Sequence, residues 1–174
     1  MKAETIPVLS DYYAWISELA VSNRFSTTGH EQVSRIVRAR TLATLKLLDE
    51  EEKSMLVRFL YDAGLIVSQD KNTALIALNG ADLKGIDCSQ AQMDRLCIIS
   101  AYLNNANFSG SFLYQANLSA CDLIKADFRN AVLDGVNFLM ADLTGANLRG
   151  ASLRGAIISD EQLAQAACIE DIQR

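Results

Sequence analysis

Residues 141–155 read "ADLTGANLRGASLRG", which is three consecutive five-residue units of nearly the same sequence. A period of five matches neither the two-residue period of a strand nor the 3.6-residue period of a helix. With Leu143 taken as the central position, the same frame runs without an insertion over residues 76–160. The central residue is Leu in ten of these units and Phe in three. The repeat therefore decides the fold of about half of the chain.

Each unit combines two apolar positions with a turn. Ala stands two residues before the central residue in eleven units, and residues two apart in an extended segment point to the same side. We therefore expect one very short strand per unit, with two side chains inward and, in nine units, an Asp or Asn outward between them. All seven glycines of the array occupy the last position of a unit, where a tight turn favours a positive φ. Alternating strands and corners predict a solenoid.

One unit, "IDCSQ" at residues 86–90, departs from the pattern because Ile86 is large and Cys88 is small. We interpret it as an exchange of volume between the two inward positions. The alternative is a break in the frame, but the flanking units remain in register.

The array resembles the pentapeptide-repeat family, whose units follow the pattern A(D/N)LXX, over about half of the chain. The resemblance implies a mainly β fold, a right-handed four-sided β-helix solenoid of about four coils, in which residues twenty apart stack on one face. At about 4.8 Å between paired strands, the shaft is roughly 20 Å long. The stretch at residues 38–66, "RARTLATLKLLDEEEKSMLVRFLYDAGLI", is similar to the helical head of family members abundant in cyanobacteria.

Both ends of a solenoid expose unpaired edges and need caps. We expect an α-helical N-terminal cap at residues 1–70, the β-helix at residues 71–160, and a short C-terminal capping helix with a tail at residues 161–174. The chain from Leu65 to Val67 is expected to be extended and to feed the first coil.

Capping signals mark the expected helices. The first helix is predicted to begin at a Ser/Asp cap at residues 10–11, and the second at a capping box at residues 28–31. Asp49 is expected to cap the third helix, which Gly64 ends. A further capping box from Ser159 should open a short helix over the last coil.

The sequence offers little material for chemistry. The single histidine, His30, lies in a capping box, and the cysteines show no CxxC spacing, so we expect no metal and no cofactor. Cys121 takes an inward position and should be a small core residue. Cys97 points outward and could be a reactive thiol, although nothing nearby in sequence would lower its pKa. Phosphate-loop and nucleophile-elbow strings are absent from the sequence, so we expect that the protein is not an enzyme.

Charge and hydropathy indicate the cellular compartment and the partners that we expect for the chain. The formal net charge of -5 is mild, which gives no strong attraction to nucleic acid or to anionic membranes. No apolar run approaches the ~18 residues of a membrane span, and the first ten residues lack the apolar centre of a signal peptide. We expect a cytoplasmic protein, a monomer or weak dimer with reduced thiols, that binds no nucleic acid directly.

Residues twenty apart should form columns on the shaft, and one column breaks the polar outward pattern. Phe112 and Val132 replace the usual Asp or Asn in two adjacent coils, Tyr114 lies beside Phe112, and charged residues border them. Such a cluster is a candidate contact surface. The alternatives are that Phe112 merely tolerates exposure or packs under a helix of the head. The candidate interaction face comprises Phe112, Tyr114, Val132, Asp134 and Arg154.

Two other columns differ from the apolar one, and only the second of them is a weaker candidate for contact. One is partly acidic, with nearby lysines at residues 84 and 125, and contains Asp82, Tyr102, Asp122 and Asp142. The other carries the apolar residues Ile99, Leu139 and Met140.

These observations favour a non-enzymatic protein-interaction or scaffold protein, because a solenoid offers rigid faces and no deep pocket. The helical head could also be the working part. The resemblance implies one further alternative, a DNA-mimic regulator of a type II topoisomerase. The array at residues 76–160 contains eight Asp, no Glu and six Lys plus Arg, a net charge of 6 − 8 = −2. About 20 Å of DNA duplex carries on the order of 12 negative charges, which argues against mimicry.

Overall fold

The structure, a computed structural model, describes residues 5–21, 30–68 and 74–174. Three helices precede the repeat array and one follows it: α1 (Thr5–Val21), α2 (His30–Leu45), α3 (Glu50–Asp62) and α4 (Asp160–Gln165). Within this described part, the array pairs through isolated β-bridges of one residue per unit rather than through extended strands.

Parallel bridges join residues twenty apart along the array, so one coil contains four units. Backbone hydrogen bonds connect each coil to both neighbours. The N–H of Leu103 donates to the carbonyl of Asp122 at 2.8 Å, and the N–H of Asp122 donates to the carbonyl of Ala101 at 3.0 Å. The outward residues of the four ladders define face 1 (Asp82, Tyr102, Asp122, Asp142), face 2 (Asp87, Asn107, Asp127, Asn147, Cys168), face 3 (Gln92, Phe112, Val132, Ser152, Gln173) and face 4 (Cys97, Asn117, Asn137, Ile157).

The corners share one backbone conformation. The last residue of every unit from Gly80 to Gly155 has a positive φ, whether or not it is glycine. Asn105 is an example, with φ of 58°, and the N–H of Ala106 closes this corner by donating to the carbonyl of Leu103 at 3.0 Å. A positive φ at the third turn residue is a feature of type II turns. The prediction of positive φ at the glycine corners is confirmed, and it extends to the other residue types at this position.

The interior of the shaft is filled by the two inward residues of each unit. The rings of Phe108 and Phe128 stack with centroids 5.2 Å apart, and Phe128 meets Phe138 edge-on at 5.8 Å. Ile86 and Cys88 are both fully buried, so the interpretation of "IDCSQ" as an exchange of volume is confirmed.

The outward Asp and Asn residues hold the corners. Oδ1 of Asp142 accepts the N–H of Thr144 at 2.9 Å, and Oδ1 of Asn137 accepts the N–H of Leu139 at 2.9 Å. Hydrogen bonds from the side chain and backbone of Thr144 lower the pKa of Asp142. Such turns, in which the side chain accepts from the backbone two residues on, explain the preference for Asp and Asn at this position.

Helix α3 lies across the N-terminal end of the shaft and satisfies its edge. Ser54 Oγ accepts the N–H of Asp87 at 2.8 Å, and Arg58 Nη2 donates to the Asp87 carbonyl at 3.1 Å. One helical turn later, the Tyr61 hydroxyl donates to the carbonyl of Asp94 at 3.1 Å. The head therefore supplies the hydrogen bonds that a preceding coil would make.

The start of α1 differs from the prediction. The expected cap at residues 10–11 lies inside the helix, which begins at Thr5. Pro7 is compatible with this earlier start, because proline suits the first turn, where its missing N–H has no helical partner. The hydroxyls of Tyr12 and Thr41 form a buried hydrogen bond of 2.6 Å between α1 and α2. The helical pattern did not reveal this polar pair.

Two of the predicted helix caps are confirmed. The side chain of Asp49 accepts the N–H of Glu52, whose carboxylate accepts the N–H of Asp49 in return. Ser159 and Gln162 form the same reciprocal pair at the start of α4. The box predicted at residues 28–31 lies mostly outside the described residues, as does the side chain of His30.

The chain enters the shaft by a pairing that the repeat does not predict. Val67 forms an antiparallel bridge with Leu96, and the N–H of Cys97 donates to the carbonyl of Ile66 at 2.8 Å. This short extended segment takes the place below face 4 that the first unit, residues 76–80, would occupy in a regular ladder.

The chain also leaves the shaft differently from the expectation for residues 161–174. After α4 the tail returns to the ladders, because Cys168 pairs with Asn147 and Gln173 pairs with Ser152. The ladder spacing at these two bridges is twenty-one rather than twenty. The helix therefore replaces one unit and absorbs one extra residue, and the tail adds a partial coil to faces 2 and 3.

Candidate functional site

Face 3 presents an apolar cluster of Phe112, Tyr114 and Val132 on adjacent coils. Phe112 bridges to Val132 and is 42% exposed, and Tyr114 is 48% exposed. The residues on either side of Phe112, Ser111 and Leu113, are fully buried. The alternative that Phe112 packs under a helix of the head is therefore wrong. This position adds to the surface of the shaft and little to its core.

The corners of face 3 are held by aspartates of the coil below. Phe112 has no side-chain oxygen to accept the N–H of Tyr114, and Asp94 Oδ1 accepts it instead at 3.0 Å. Two coils further on, Asp134 Oδ1 accepts the N–H of Arg154 at 3.1 Å. The carboxylate of Asp94 therefore allows apolar Phe112 on face 3 without leaving the N–H of Tyr114 unsatisfied. Asp134 accepts the equivalent N–H in the coil of Ser152.

The candidate residues Asp134 and Arg154 lie in the same corner column as Tyr114. The Ser152 hydroxyl donates to Asp134 Oδ1, and Arg154 Nη2 donates to the side-chain oxygen of Gln173 at 2.6 Å. The structure thus brings all five predicted residues to one side of the shaft. Gln173 was not among the predicted residues. A signal for the return of the tail was present, because "ACI" at residues 167–169 repeats the order of a unit, with a small residue, an outward residue and a large residue, one residue out of frame.

Face 1 is less acidic than its sequence suggests. Lys53 Nζ lies 3.5 Å from the Asp82 carboxylate, and Asn104 Nδ2 donates to Asp122 Oδ1 at 2.6 Å. Lys84 Nζ lies 5.5 Å from the centroid of the Tyr102 ring. The chain therefore provides its own partners for much of this column.

The structure brings together only two of the three residues of the weaker apolar candidate, the column of Ile99, Leu139 and Met140. Leu139 is 56% exposed and Met140 is 80% exposed, and both line an open groove of about 470 Å³ beside Gln162 of α4. Ile99 is half-buried and does not line this groove.

The prediction that Cys97 is an accessible thiol is wrong. Cys97 is buried, because the incoming chain passes against it, and burial raises the pKa of its thiol despite a hydrogen bond with the backbone of Ala74. Burial also raises the pKa of Cys121 to about 11 and that of Cys88 to about 12. The inward placement predicted for Cys121 is confirmed. In the described ranges, no group of three or more His, Cys, Asp or Glu is placed to hold a metal ion.

Twenty-residue ladders, paired inward side chains and left-handed corners define a repeat protein of the β-solenoid class. The sequence profile described as Pentapeptide repeats (8 copies) matches residues 76–110, 113–150, 121–160 and 140–166. These overlapping matches cover slightly more than half of the chain. The chain belongs to the pentapeptide-repeat family.

Several solved structures of pentapeptide repeat proteins are similar to this chain. A protein from the thylakoid lumen of Arabidopsis thaliana is 30% identical, with 52% of this chain and 59% of that one covered and a TM-score of 0.41. A protein from the cyanobacterium Cyanothece 51142 is 30% identical, with 60% and 63% covered and a TM-score of 0.25. A protein from Nostoc PCC 7120 is 25% identical, with 66% and 94% covered and a TM-score of 0.30.

The chain thus spans less than two thirds of the first two of these proteins. No curated protein matches it. None of the helices in the described residues is long and apolar enough to cross a membrane.

Proposed function

We propose that this chain is a non-enzymatic interaction or scaffold protein that binds another protein through face 3. Membership of the pentapeptide-repeat family supports a right-handed four-sided β-helix as the shaft that carries this face. The observation that supports the proposal is the exposure of Phe112 and Tyr114 beside Val132, at positions that the core does not require.

The ladder fixes the backbone of the cluster before any partner binds. The N–H of Phe112 donates to the Ala91 carbonyl at 2.9 Å, and the N–H of Val132 donates to the Ser111 carbonyl at 2.9 Å. A surface that is ordered in advance loses little conformational entropy on binding. Aromatic residues surrounded by polar and charged groups are typical of the central part of protein interfaces.

Three of the four cysteines support a role without covalent catalysis. The thiolate is the reactive form of cysteine, and burial raises the pKa of Cys88, Cys97 and Cys121. All four cysteines are thiols rather than disulfides, which fits the reducing cytoplasm. We place the protein there as a monomer or weak dimer.

The alternative of a DNA mimic that regulates a type II topoisomerase has less support. A net charge of −2 across residues 76–160 is small beside the order of 12 charges on a similar length of duplex. Moreover, Asp87, Asp127 and Asp142 each accept a backbone N–H at their own corner, so their presence has a structural reason.

The test is a pull-down from lysate of the source organism with identification by mass spectrometry. The face 3 variant carries Phe112→Ser, Tyr114→Ser and Val132→Ser. A matched control removes exposed apolar side chains from another part of the shaft and carries Leu139→Ser, Met140→Ser and Ile157→Ser. Circular dichroism verifies that both variants fold like the wild type.

We expect a protein that the wild type and the control retain and that the face 3 variant loses. A result in which the three chains retain the same proteins, or none, would contradict the proposal. A topoisomerase retained by all three would support the DNA-mimic alternative.

A further inference from the structure

The corner column beside the apolar cluster places an aromatic ring between two carboxylates. The N–H of Arg95 donates to the Tyr114 carbonyl at 2.8 Å, and the N–H of Gln115 donates to the Asp134 carbonyl at 2.9 Å. Asp94, Tyr114 and Asp134 therefore stack one above another, at about 4.8 Å per coil.

Both carboxylates keep binding capacity after their structural contacts. Asp94 and Asp134 each accept the corner hydrogen bonds through Oδ1. Among the described residues, neither forms an ion pair, and neither Oδ2 atom accepts a hydrogen bond. Arg154, at the end of the column, directs Nη2 to Gln173.

The same shaft shows what such an arrangement attracts. On face 1, Tyr102 lies between Asp82 and Asp122 in the ladder, and the ammonium of Lys84 lies 5.5 Å from the centroid of its ring. A ring face attracts cations, and flanking carboxylates strengthen that attraction. No lysine or arginine of the described residues lies over the ring of Tyr114.

We propose that the partner segment on face 3 contributes a Lys or Arg side chain to the ring of Tyr114, between Asp94 and Asp134, while a neighbouring apolar side chain packs on Phe112 and Val132. This inference rests on the proposed function and specifies the chemistry of the partner. The partner supplies in trans the cation that Lys84 supplies to Tyr102 within the chain.

The experiment selects random twelve-residue peptides displayed on phage with the full-length protein. Peptides that also bind the variant Phe112→Ser, Val132→Ser are removed by counter-selection. Affinities of the remaining peptides are then measured for three further variants. Asp94→Asn with Asp134→Asn removes the charges and keeps the oxygens that accept the corner N–H groups, Tyr114→Leu removes the ring, and Tyr114→Phe retains it.

We expect the selected peptides to be enriched in Lys or Arg beside an apolar residue. The double Asn variant should bind them about tenfold more weakly. Tyr114→Leu should weaken binding several-fold, and Tyr114→Phe should bind like the wild type.

Two different failures can be distinguished. Peptides that depend on Phe112 and Val132 but lack a cation, or that bind the double Asn variant normally, would overturn this inference and leave the proposed function standing. If no peptide depends on Phe112 and Val132, both the inference and the proposed role of face 3 in binding another protein are rejected.

Discussion

The left-handed corners lead to a prediction in which one chemical change has opposite effects at two sites. Ala120 is an exposed corner residue with φ of 54°. An L-residue in the left-handed region costs roughly 1–2 kcal/mol, whereas glycine costs roughly 0.5–1 kcal/mol through the greater freedom of the unfolded chain. Ala120→Gly should therefore stabilise the protein by about 0.5–1 kcal/mol.

The matched control is Ala39→Gly. Ala39 is also exposed, but it lies inside helix α2, where glycine is less favourable than alanine by about 0.8–1.0 kcal/mol. The two substitutions delete the same methyl group, and their free energies of unfolding should differ by about 1.3–2 kcal/mol.

Urea unfolding followed by circular dichroism and by the fluorescence of the single tryptophan, Trp15, provides the measurement. Trp15 lies in α1 and reports on the head, so if the head and shaft unfold separately each substitution is read in its own transition. If Ala120→Gly lowers the free energy of unfolding as Ala39→Gly does, our account of the corners is refuted.

Three further predictions concern the core, the thiols and the acid stability of the shaft. Phe128→Ala should lower the free energy of unfolding by about 3–5 kcal/mol. Phe128→Leu introduces the commonest central residue and should lower it markedly less. Equal losses of the two variants in urea unfolding would show that ring packing is unimportant. In the folded protein only Cys168 should react rapidly with a coloured disulfide reagent, since the other three cysteines are buried. Addition of urea should expose those three. Rapid release of more than one equivalent of the coloured thiolate before urea is added would contradict this. The side-chain hydrogen bond from Arg129 lowers the folded-state pKa of Asp127, so its stabilisation is present above the unfolded pKa of about 3.9 and is lost as the pH falls through the lower folded value. Asp127→Asn should therefore flatten the acid limb of the urea midpoint plotted against pH, and an unchanged limb would show that this pair contributes nothing.

The sequence predicts the regular part of the shaft because its requirements are local. A corner with positive φ recurs every five residues, and glycine makes it visible without knowledge of distant contacts. The antiparallel bridge of Val67 is a different case, because one pair of residues far apart in sequence leaves no periodic signal. The return of residues 167–173 to the ladders could not be predicted from the repeat, because α4 places these residues one position out of the five-residue frame. Cys97 was assigned to the surface because it occupies the outward position of its unit. That assignment failed because the segment entering the shaft covers this position, which the repeat does not reveal.

The candidate cluster could also be found from the sequence, since stacking at intervals of twenty residues is enough to bring Phe112 and Val132 together. Its supporting hydrogen bonds could not. Asp94 occupies the same corner column as Tyr114, but only coordinates show that its carboxylate accepts the Tyr114 N–H. A border of charges was expected around the cluster, and part of that border turns out to hold the corner backbone.

The twenty-residue coil determines which face of the shaft each residue occupies. Each unit supplies equivalent inward side chains, so one additional unit inserted after Ala120 would fill the interior as well as its neighbours do. It would also advance every later residue by one face, and Val132 would then stand above Asn117 on face 4 instead of above Phe112. A complete coil of twenty residues would keep the faces aligned and only separate their columns. The core therefore tolerates changes of length in steps of five, whereas alignment of the surface is preserved only in steps of twenty.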